Sequence, residues 1–573
     1  VKVSDYIADS LHSQGVRHVF EVVGGMTTHL VDSIYRRGKI RLISTHHEQA
    51  AAMAADVTGR ITGVPGVAMA TSGPGAVNLL TGIGSCHFDS SPAVFITGQV
   101  NRNEQKRSSS IRQLGFQETD IVSMASPVTK GSWRAKSPQA VPKLLAHAFA
   151  LAVSGRPGPV LLDIPMDVQR AEIRAGVPSA PSVSPVPRAR TSTVRELLDQ
   201  LRVAERPLIL AGGGISAARA KDLCKRFVEK VRTPVVYSLM GVEVLPYVHR
   251  LRVGMIGTYG NRWANLAIGR SDFLLVLGSR LDIRQTGSDT RAFKGSRTVY
   301  HVDCEPGEIN NRVKGCHAVV ADLRSFLDAA VQAGAELEFP DRSGWLAEIA
   351  ELRRTWPDTG ELRGKAGINP NEFIHLLSAA STLAAAFVVD VGQHQMWAAQ
   401  SLELGPSQLF VTSGGMGAMG FALPAAIGTA LACPDQRVVM IAGDGGFQVN
   451  IQELQTLVHN RLPVKMVVLN NRCYGMVRQF QESYFQGRYQ STYWGYSAPD
   501  FARIADAYGI PSRTVNGPSE VQDALKAMWK DPNAPFLLQV MIDPLANVYP
   551  KIAFGRPITE MEPLAKPLDI EGT

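Results

Sequence analysis

Cysteine is scarce in this chain, with six residues at positions 86, 224, 304, 316, 433 and 473 of a 573-residue sequence. No two form a CxxC pair and none sits at a metal-site spacing, which excludes a disulfide framework and a cysteine-built zinc site. Buried thiols in a reducing, cytoplasmic setting are expected. Concentrated charge is also lacking. The formal charge is +8, yet the basic residues are scattered and RRGKIR (36–41) is the one tight cluster. That cluster reads as a solvated helix end, so no nucleic-acid surface is expected. The opening VKVSDYIADSL carries acids and no long apolar core, so no secretory leader is expected either. One stretch, 405–434, has no charge at all and is long enough to cross a bilayer. Its glycines and prolines favour a buried turn running into a core helix, and no membrane association is expected.

At this length the chain exceeds a single core. AGVPSAPSVSPVPRARTS (175–192) reads as a linker, and a second polar stretch spans roughly 337–368. The blocks between them alternate amphipathic helical patterns with short apolar runs. The first has VRHVFEVV, IRLIST, GVAMAT, AVFITG and GPVLLDIP; the second RPLILAG, TPVVYS, DFLLVLG and RTVYHVD; the third AFVVDVG, RVVMIAG, VKMVVLN and PFLLQVMI. Continuous β-branched runs are the mark of parallel strands buried on both faces. The fold class is therefore α/β, three doubly wound parallel-sheet domains expected over 1–174, 190–336 and 366–550, with a tail at 551–573. Ligands of such sheets bind beyond the carboxyl ends of the strands.

Two of those ends stand out. AGDGGFQVN places Asp444 between glycines after RVVMIAG, and VKMVVLN runs into Asn471. If the two strands are neighbours, a carboxylate and an amide oxygen share one crevice, a set of hard oxygens suited to Mg²⁺ with phosphate completing the shell. Taken singly, Asp444 could merely cap a helix and Asn471 sit in a turn.

Together, GDG followed by Asn470-Asn471 resembles the diphosphate motif of thiamine-diphosphate (ThDP) enzymes. The resemblance implies that Asp444, Asn471 and the carbonyl of Cys473 hold Mg²⁺. It also implies an activating glutamate contributed by the first domain of another subunit. STHHEQAAAMAAD offers Glu48, although Thr45-x-x-Glu48 is also a capping box. HHEQAAAMAAD, TSGPGAVNLLTGI, SSPAVFITGQV, VGQHQMWAAQ, TSGGMGAMGFALPAAIG and LNNRCYGMV extend the likeness to acetohydroxyacid (acetolactate) synthases over nearly the whole chain. From this follow further roles. The Gly417 carbonyl would meet the aminopyrimidine and Met419 would bend the cofactor. Gln393, His394, Gly443, Gly445, Gly446, Gly475 and Met476 would complete its site. Gly25 would approach the reacting centre; Gln99, Phe116, Gln117 and Lys130 would line the substrate side. In the middle block Gly213, Met240, Gly257, Gly278, Arg280, Asp282, Asp303 and Asp322 would contact FAD, a flavin without net redox part. Arg284 would grip the carboxylate of an acceptor 2-oxo acid.

The resemblance thus implies a homodimer or dimer of dimers that decarboxylates pyruvate and transfers the two-carbon unit to a second carbonyl compound. The sequence departs from the pattern at the acceptor side. Val23-Gly24-Gly25 replaces Pro-Gly-Gly, and Phe480 stands where many relatives carry Trp. RQLGFQETDIV and VYPKIAFGRPITEMEP are closer to synthase-like enzymes of deoxysugar pathways, which leaves a 2-oxo acid and a keto sugar as alternative acceptors. A flavin-dependent pyruvate-oxidase activity is the competing enzymatic reading. A non-catalytic paralogue is opposed by the joint presence of Glu48, Asp444, Asn471 and Met419.

Overall fold

A computed structural model describes residues 1–174 and 186–568. Most of the expected linker, 175–185, lies outside the described residues. The first sheet comprises β1 (His18–Val22), β2 (Arg41–Ser44), β3 (Gly66–Ala70), β4 (Ala93–Gln99), β5 (Gly131–Arg134) and β6 (Pro159–Pro165), in the order β2-β1-β3-β4-β6-β5. The second comprises β7 (Pro207–Ala211), β8 (Val235–Tyr237), β9 (Arg252–Met255), β10 (Phe273–Leu277), β11 (Thr298–Asp303) and β12 (His317–Val320), in the order β12-β11-β10-β7-β8-β9. The third comprises β13 (Ala384–Val389), β14 (Leu409–Thr412), β15 (Arg437–Gly443), β16 (Val464–Asn470), β17 (Ser512–Val515) and β18 (Phe536–Met541), in the order β14-β13-β15-β16-β18-β17. All three are parallel, with helices on both faces, as the apolar runs predict. The inner strands are buried except at some of their end residues, and β16 is buried at every residue.

The charge-free stretch becomes β14, a turn, and the buried helix Ala422–Ala432. Among the described residues no helix is long and apolar enough to cross a membrane. RRGKIR closes the helix Thr28–Arg37, with Gly38 at φ 64° and Arg36 and Arg37 paired to Asp5, Asp9 and Asp32. All six cysteines are free thiols, four of them buried.

Two alanine-rich helices join the first domain to the third. Glu48–Thr62 and Ala422–Ala432 pack in one continuous core, where a Cβ on Gly428 would collide with the Ala54 carbonyl. Side chains no larger than methyl let the backbones meet. Arg60 locks the pair. It grips Asp56 at 2.6 and 2.9 Å, the Thr412 carbonyl at 2.8 Å and Asp89 at 3.2 Å.

The polar stretch before the third domain is not a free linker. Its helix Ser343–Thr355 buries Trp345, Ile349 and Leu352 against the central domain. Glu361 then accepts a bidentate Arg262 at 2.7 and 2.9 Å. His375 of the third domain bridges Asp358 (2.9 Å) and Glu403 (2.7 Å). Burial alone would lower the His375 pKa, but the two carboxylates outweigh it and hold the imidazole above its ordinary range. The stabilisation is therefore complete below the unfolded imidazole value and lost as pH rises through the folded one. The melting-temperature deficit of His375→Ala should be larger at pH 6 than at pH 9. An equal deficit at both would remove the charge from this account.

Candidate active site

β15 and β16 are neighbours, paired in parallel from Val438↔Val464 to Gly443↔Leu469. Both strands thus end at one level, and Asp444 and Asn471 emerge side by side at the carboxyl edge. Both are buried. Asp444 opens a short helix, and burial pushes its carboxyl up to about 6 although Tyr496 donates its hydroxyl to Oδ2 at 2.9 Å. Asn471 donates to Gln393 Oε1 at 2.9 Å, and its own oxygen accepts from the Cys473 amide at 3.2 Å. The Cys473 carbonyl accepts from Gly475 N at 3.0 Å, while the thiol turns away to the Pro544 carbonyl.

Around this pair the chain is stripped of side-chain bulk. A Cβ on Gly443 would lie 2.8 Å from the His394 ring, one on Gly445 2.5 Å from Tyr474, and one on Gly446 2.5 Å from Asp390. On Gly475 it would overlap Gln393 Oε1. His394 is buried, its pKa lowered by burial to about 3, and its Nε2 has no partner among the described residues. Met419 reaches to 3.3 Å from the Gly445 Cβ position. Gly417, at φ 68°, has nothing within 4 Å above it. Met476 follows Gly475 at the start of the helix Gly475–Tyr484.

Among the described residues no group of three His, Cys, Asp or Glu side chains is arranged to hold a metal ion. A cation here would rest on one carboxylate, one amide oxygen and one backbone carbonyl, leaving positions for phosphate oxygens as Mg²⁺ prefers. The donor set, the orphaned His394 nitrogen and the glycine cradle fit a magnesium diphosphate.

A second cluster lies on the first domain. Glu48 is not part of a capping box. The Thr45 hydroxyl turns to the Glu21 and His47 carbonyls, and His47 caps Gln49. The Glu48 carboxylate accepts from Asn78 at 2.9 Å and lies 3.0 Å from a Cβ on Gly75. Gly73 packs on Gln117, which adopts the left-handed φ of 64°. Beside them Phe116 is 77% exposed, Val23 is 59% exposed, and Gly25 has open space above it. No hydrogen bond or ion pair of the single chain joins Glu48 to Asp444.

Two residues expected on the substrate side make their hydrogen bonds within the first domain. Gln99 spends its amide on Asp163, the Thr119 carbonyl and Val100 N, steadying the loop that carries Gln117. The Lys130 ammonium is caged by Ser154 and the Arg156 carbonyl, at the end of the helix Val141–Val153. Burial there lowers its pKa to about 8.

The central domain borders a cavity of about 610 Å³ shared with the other two domains. Gly213, Met240, Gly278, Arg280, Asp282, Arg284, Asp303 and Asp322 all line it. Gly257 does not; at φ 109° it packs on the Arg284 carbonyl and shapes the loop from behind. Gly214 and Gly278 approach so closely that a Cβ on either would strike the other strand's turn. A cavity of this size with a glycine cradle accommodates an extended dinucleotide. Phe480 sits apart, 44% exposed, in an aromatic group with Tyr484 (4.7 Å) and, beyond it, Phe554, which lies between the short paired strands Lys551–Ile552 and Met561–Glu562.

Tyr496 and Asp390 escaped the sequence reading. Asp390 accepts from Gly420 N at 3.0 Å and Ala422 N at 2.8 Å, fixing the end of the Gly417 turn. Its position after the run AFVV was the available signal. Tyr496 lies in a polar loop with no comparable mark.

Comparison with known proteins agrees with this geometry. Models of the thiamine pyrophosphate enzyme N-terminal TPP-binding, central and C-terminal TPP-binding domains match residues 1–124, 194–330 and 390–540. A probable acetolactate synthase large subunit of Methanocaldococcus jannaschii is 36% identical over 583 aligned positions, covering 100% of this chain and 96% of the relative. The acetolactate synthase large subunit of Lactococcus lactis is 36% identical, covering 97% and 95%. The isozyme 2 large subunit of Escherichia coli is 36% identical, covering 97% and 98%.

Because its Cβ would displace Gln393 from Asn471, Gly475→Ala should weaken Mg²⁺-dependent ThDP binding by at least about tenfold, roughly 1.4 kcal/mol. Calorimetric titration measures this; unchanged affinity would remove Gly475 from the cradle.

Proposed function

The chain belongs to the acetolactate synthase family of thiamine pyrophosphate enzymes, and from that membership we propose a ThDP-, Mg²⁺- and FAD-dependent carboligase. Its donor is pyruvate, and the two-carbon unit passes to a second carbonyl compound. The observation that carries this reading is the convergence of Asp444, Asn471 and the Cys473 carbonyl at one strand edge, with Gly417 and Met419 alongside. On this reading 1–174 is the pyrimidine domain, 190–336 the flavin domain, 366–550 the diphosphate domain, and 551–573 a tail.

When bound, ThDP supplies the electron sink for decarboxylation and the carbon nucleophile for ligation. The protein's part is orientation and proton handling. Asp444, Asn471 and the Cys473 carbonyl would hold the cation, with the neutral His394 beside Gly443 at the diphosphate end. Met419 and Gly417 would orient the cofactor. Glu48, nearly enclosed by Gly75 and Asn78, would be the carboxyl that exchanges a proton with the cofactor. On this reading the working unit is a homodimer in which each site takes Glu48 from one protomer and the cation site from its partner. Exposed Val23 and Phe116 on one side, and Val449, Val477 and Phe480 on the other, are surfaces such a dimer would cover.

For the acceptor, Arg284 supplies a planar cation able to meet a carboxylate in two places. Phe480 leaves more space than a tryptophan would. A 2-oxo acid and a keto sugar both suit this arrangement, and the products separate them. Supplied with ThDP, Mg²⁺, FAD and pyruvate, a 2-oxo-acid ligase forms acetolactate from pyruvate alone. A sugar ligase forms product only when a keto sugar is added. Bleaching of the flavin by pyruvate with neither product would establish the oxidase instead.

Glu48→Gln should lower pyruvate decarboxylation by about 10²–10⁴-fold while ThDP still binds, and full turnover in that variant would exclude the role. Chelation of Mg²⁺ should release ThDP into the filtrate of a spin column; retention would dismiss the Asp444–Asn471 assignment.

A further inference from the structure

Asp89 is the last residue of the helix Leu80–Asp89, and its side chain is 1% exposed. A carboxylate there faces the negative pole of the helix dipole and is buried besides, two costs that need a specific return. Its partners are Arg60 at 3.2 Å and two backbone amides of the third domain, Gly414 N at 3.2 Å and Gly415 N at 2.6 Å. Those two glycines begin the turn that carries Gly417 and Met419.

The turn runs between two walls. At its start Asp89, Phe88, Met240, Gly414 and Gly415 all line the central cavity. A Cβ on Gly414 would collide with Met240 Sδ, and one on Gly415 would sit 2.7 Å from the Phe88 carbonyl. At its far end Asp390 pins Gly420 and Ala422. In between, Ser413 Oγ accepts from Ala418 N at 3.2 Å, and Met416 packs on Gly84. A segment this short, held at both ends, passes a shift of Gly414–Gly415 on to Gly417 and Met419.

We propose that Asp89 is a positioning residue through which occupancy of the central cavity by a flavin dinucleotide fixes the Gly417–Met419 turn, so that flavin and ThDP bind cooperatively. The proposal rests on the ligand assignments of the preceding section. The flavin then contributes to the site with no electron transfer, by holding Met240 and Phe88 against the two glycines. Linkage makes the effect reciprocal: the factor by which FAD tightens ThDP equals that by which ThDP tightens FAD.

The test uses the full chain, stripped of flavin and resupplied with FAD. ThDP affinity in saturating Mg²⁺ is measured by calorimetry with and without FAD, and FAD affinity by flavin fluorescence with and without ThDP. The expected coupling is about tenfold in both directions. In Asp89→Ala the ratio should fall toward one, and Asp89→Asn, which keeps an accepting oxygen, should restore part of it. Met240→Ala, altering the same contact from the cavity side, should also lower the ratio, and it keeps the test open should Asp89→Ala not fold. A ratio of one in the unaltered chain, or an undiminished ratio in both Asp89→Ala and Met240→Ala, overturns the proposal. Failure of ThDP to bind under any condition is a separate result: it sinks the cofactor assignment, and this proposal with it.

Discussion

The pairing of β15 with β16 is the constraint on which the site depends. Parallel strands in register end together, so two residues 27 positions apart in sequence reach the same crevice without any long loop to order. The oxygens are held before a ligand arrives, and little conformational entropy is lost on binding. Glycine does the rest, because each of Gly443, Gly445, Gly446 and Gly475 stands where a methyl group would push a working side chain aside.

The second constraint is the contact between the helices Glu48–Thr62 and Ala422–Ala432. It fixes the first domain on the third, and Glu453 of the third domain reaches the His46 amide at 3.0 Å, just ahead of Glu48. The position of Glu48 is therefore set by its own chain's third domain. Nothing in that arrangement turns it toward its own chain's Asp444. Glu48 is thus held on a face with open space over Gly25 and an exposed Phe116.

The inner strands were legible because burial on both faces requires continuous apolar runs. The strands absent from the sequence reading, β5, β9, β12, β14 and β17, are all sheet edges. Edges are short and one-sided, so GSWR, RVGM, HAVV, LFVT and SRTV carry no such signature. The site divides in the same way. Asp444 and Asn471 were visible because strand ends and glycines mark them. A residue's place in a motif does not reveal its hydrogen bonds: Lys130 closes a helix end and Gln99 braces a loop. Tyr496, which touches Asp444 directly, had no periodic or turn signal to betray it.

Two buried acids of the third domain show what the site lacks by itself. Burial pushes both Asp390 and Asp444 up to about 6. Asp390 accepts three backbone amides, from Val391, Gly420 and Ala422, which is how a carboxylate comes to rest inside a protein. Asp444 accepts from the Tyr496 hydroxyl and is met by backbone amides of its own turn, while the ring of His394, packed on Gly443, has no partner for its Nε2 among the described residues. A buried carboxylate with no cation beside it and an orphaned ring nitrogen are each costly in a finished interior. Side by side at a strand edge, they complement a cation and the anion it carries, and a ligand bringing both charges would satisfy them together.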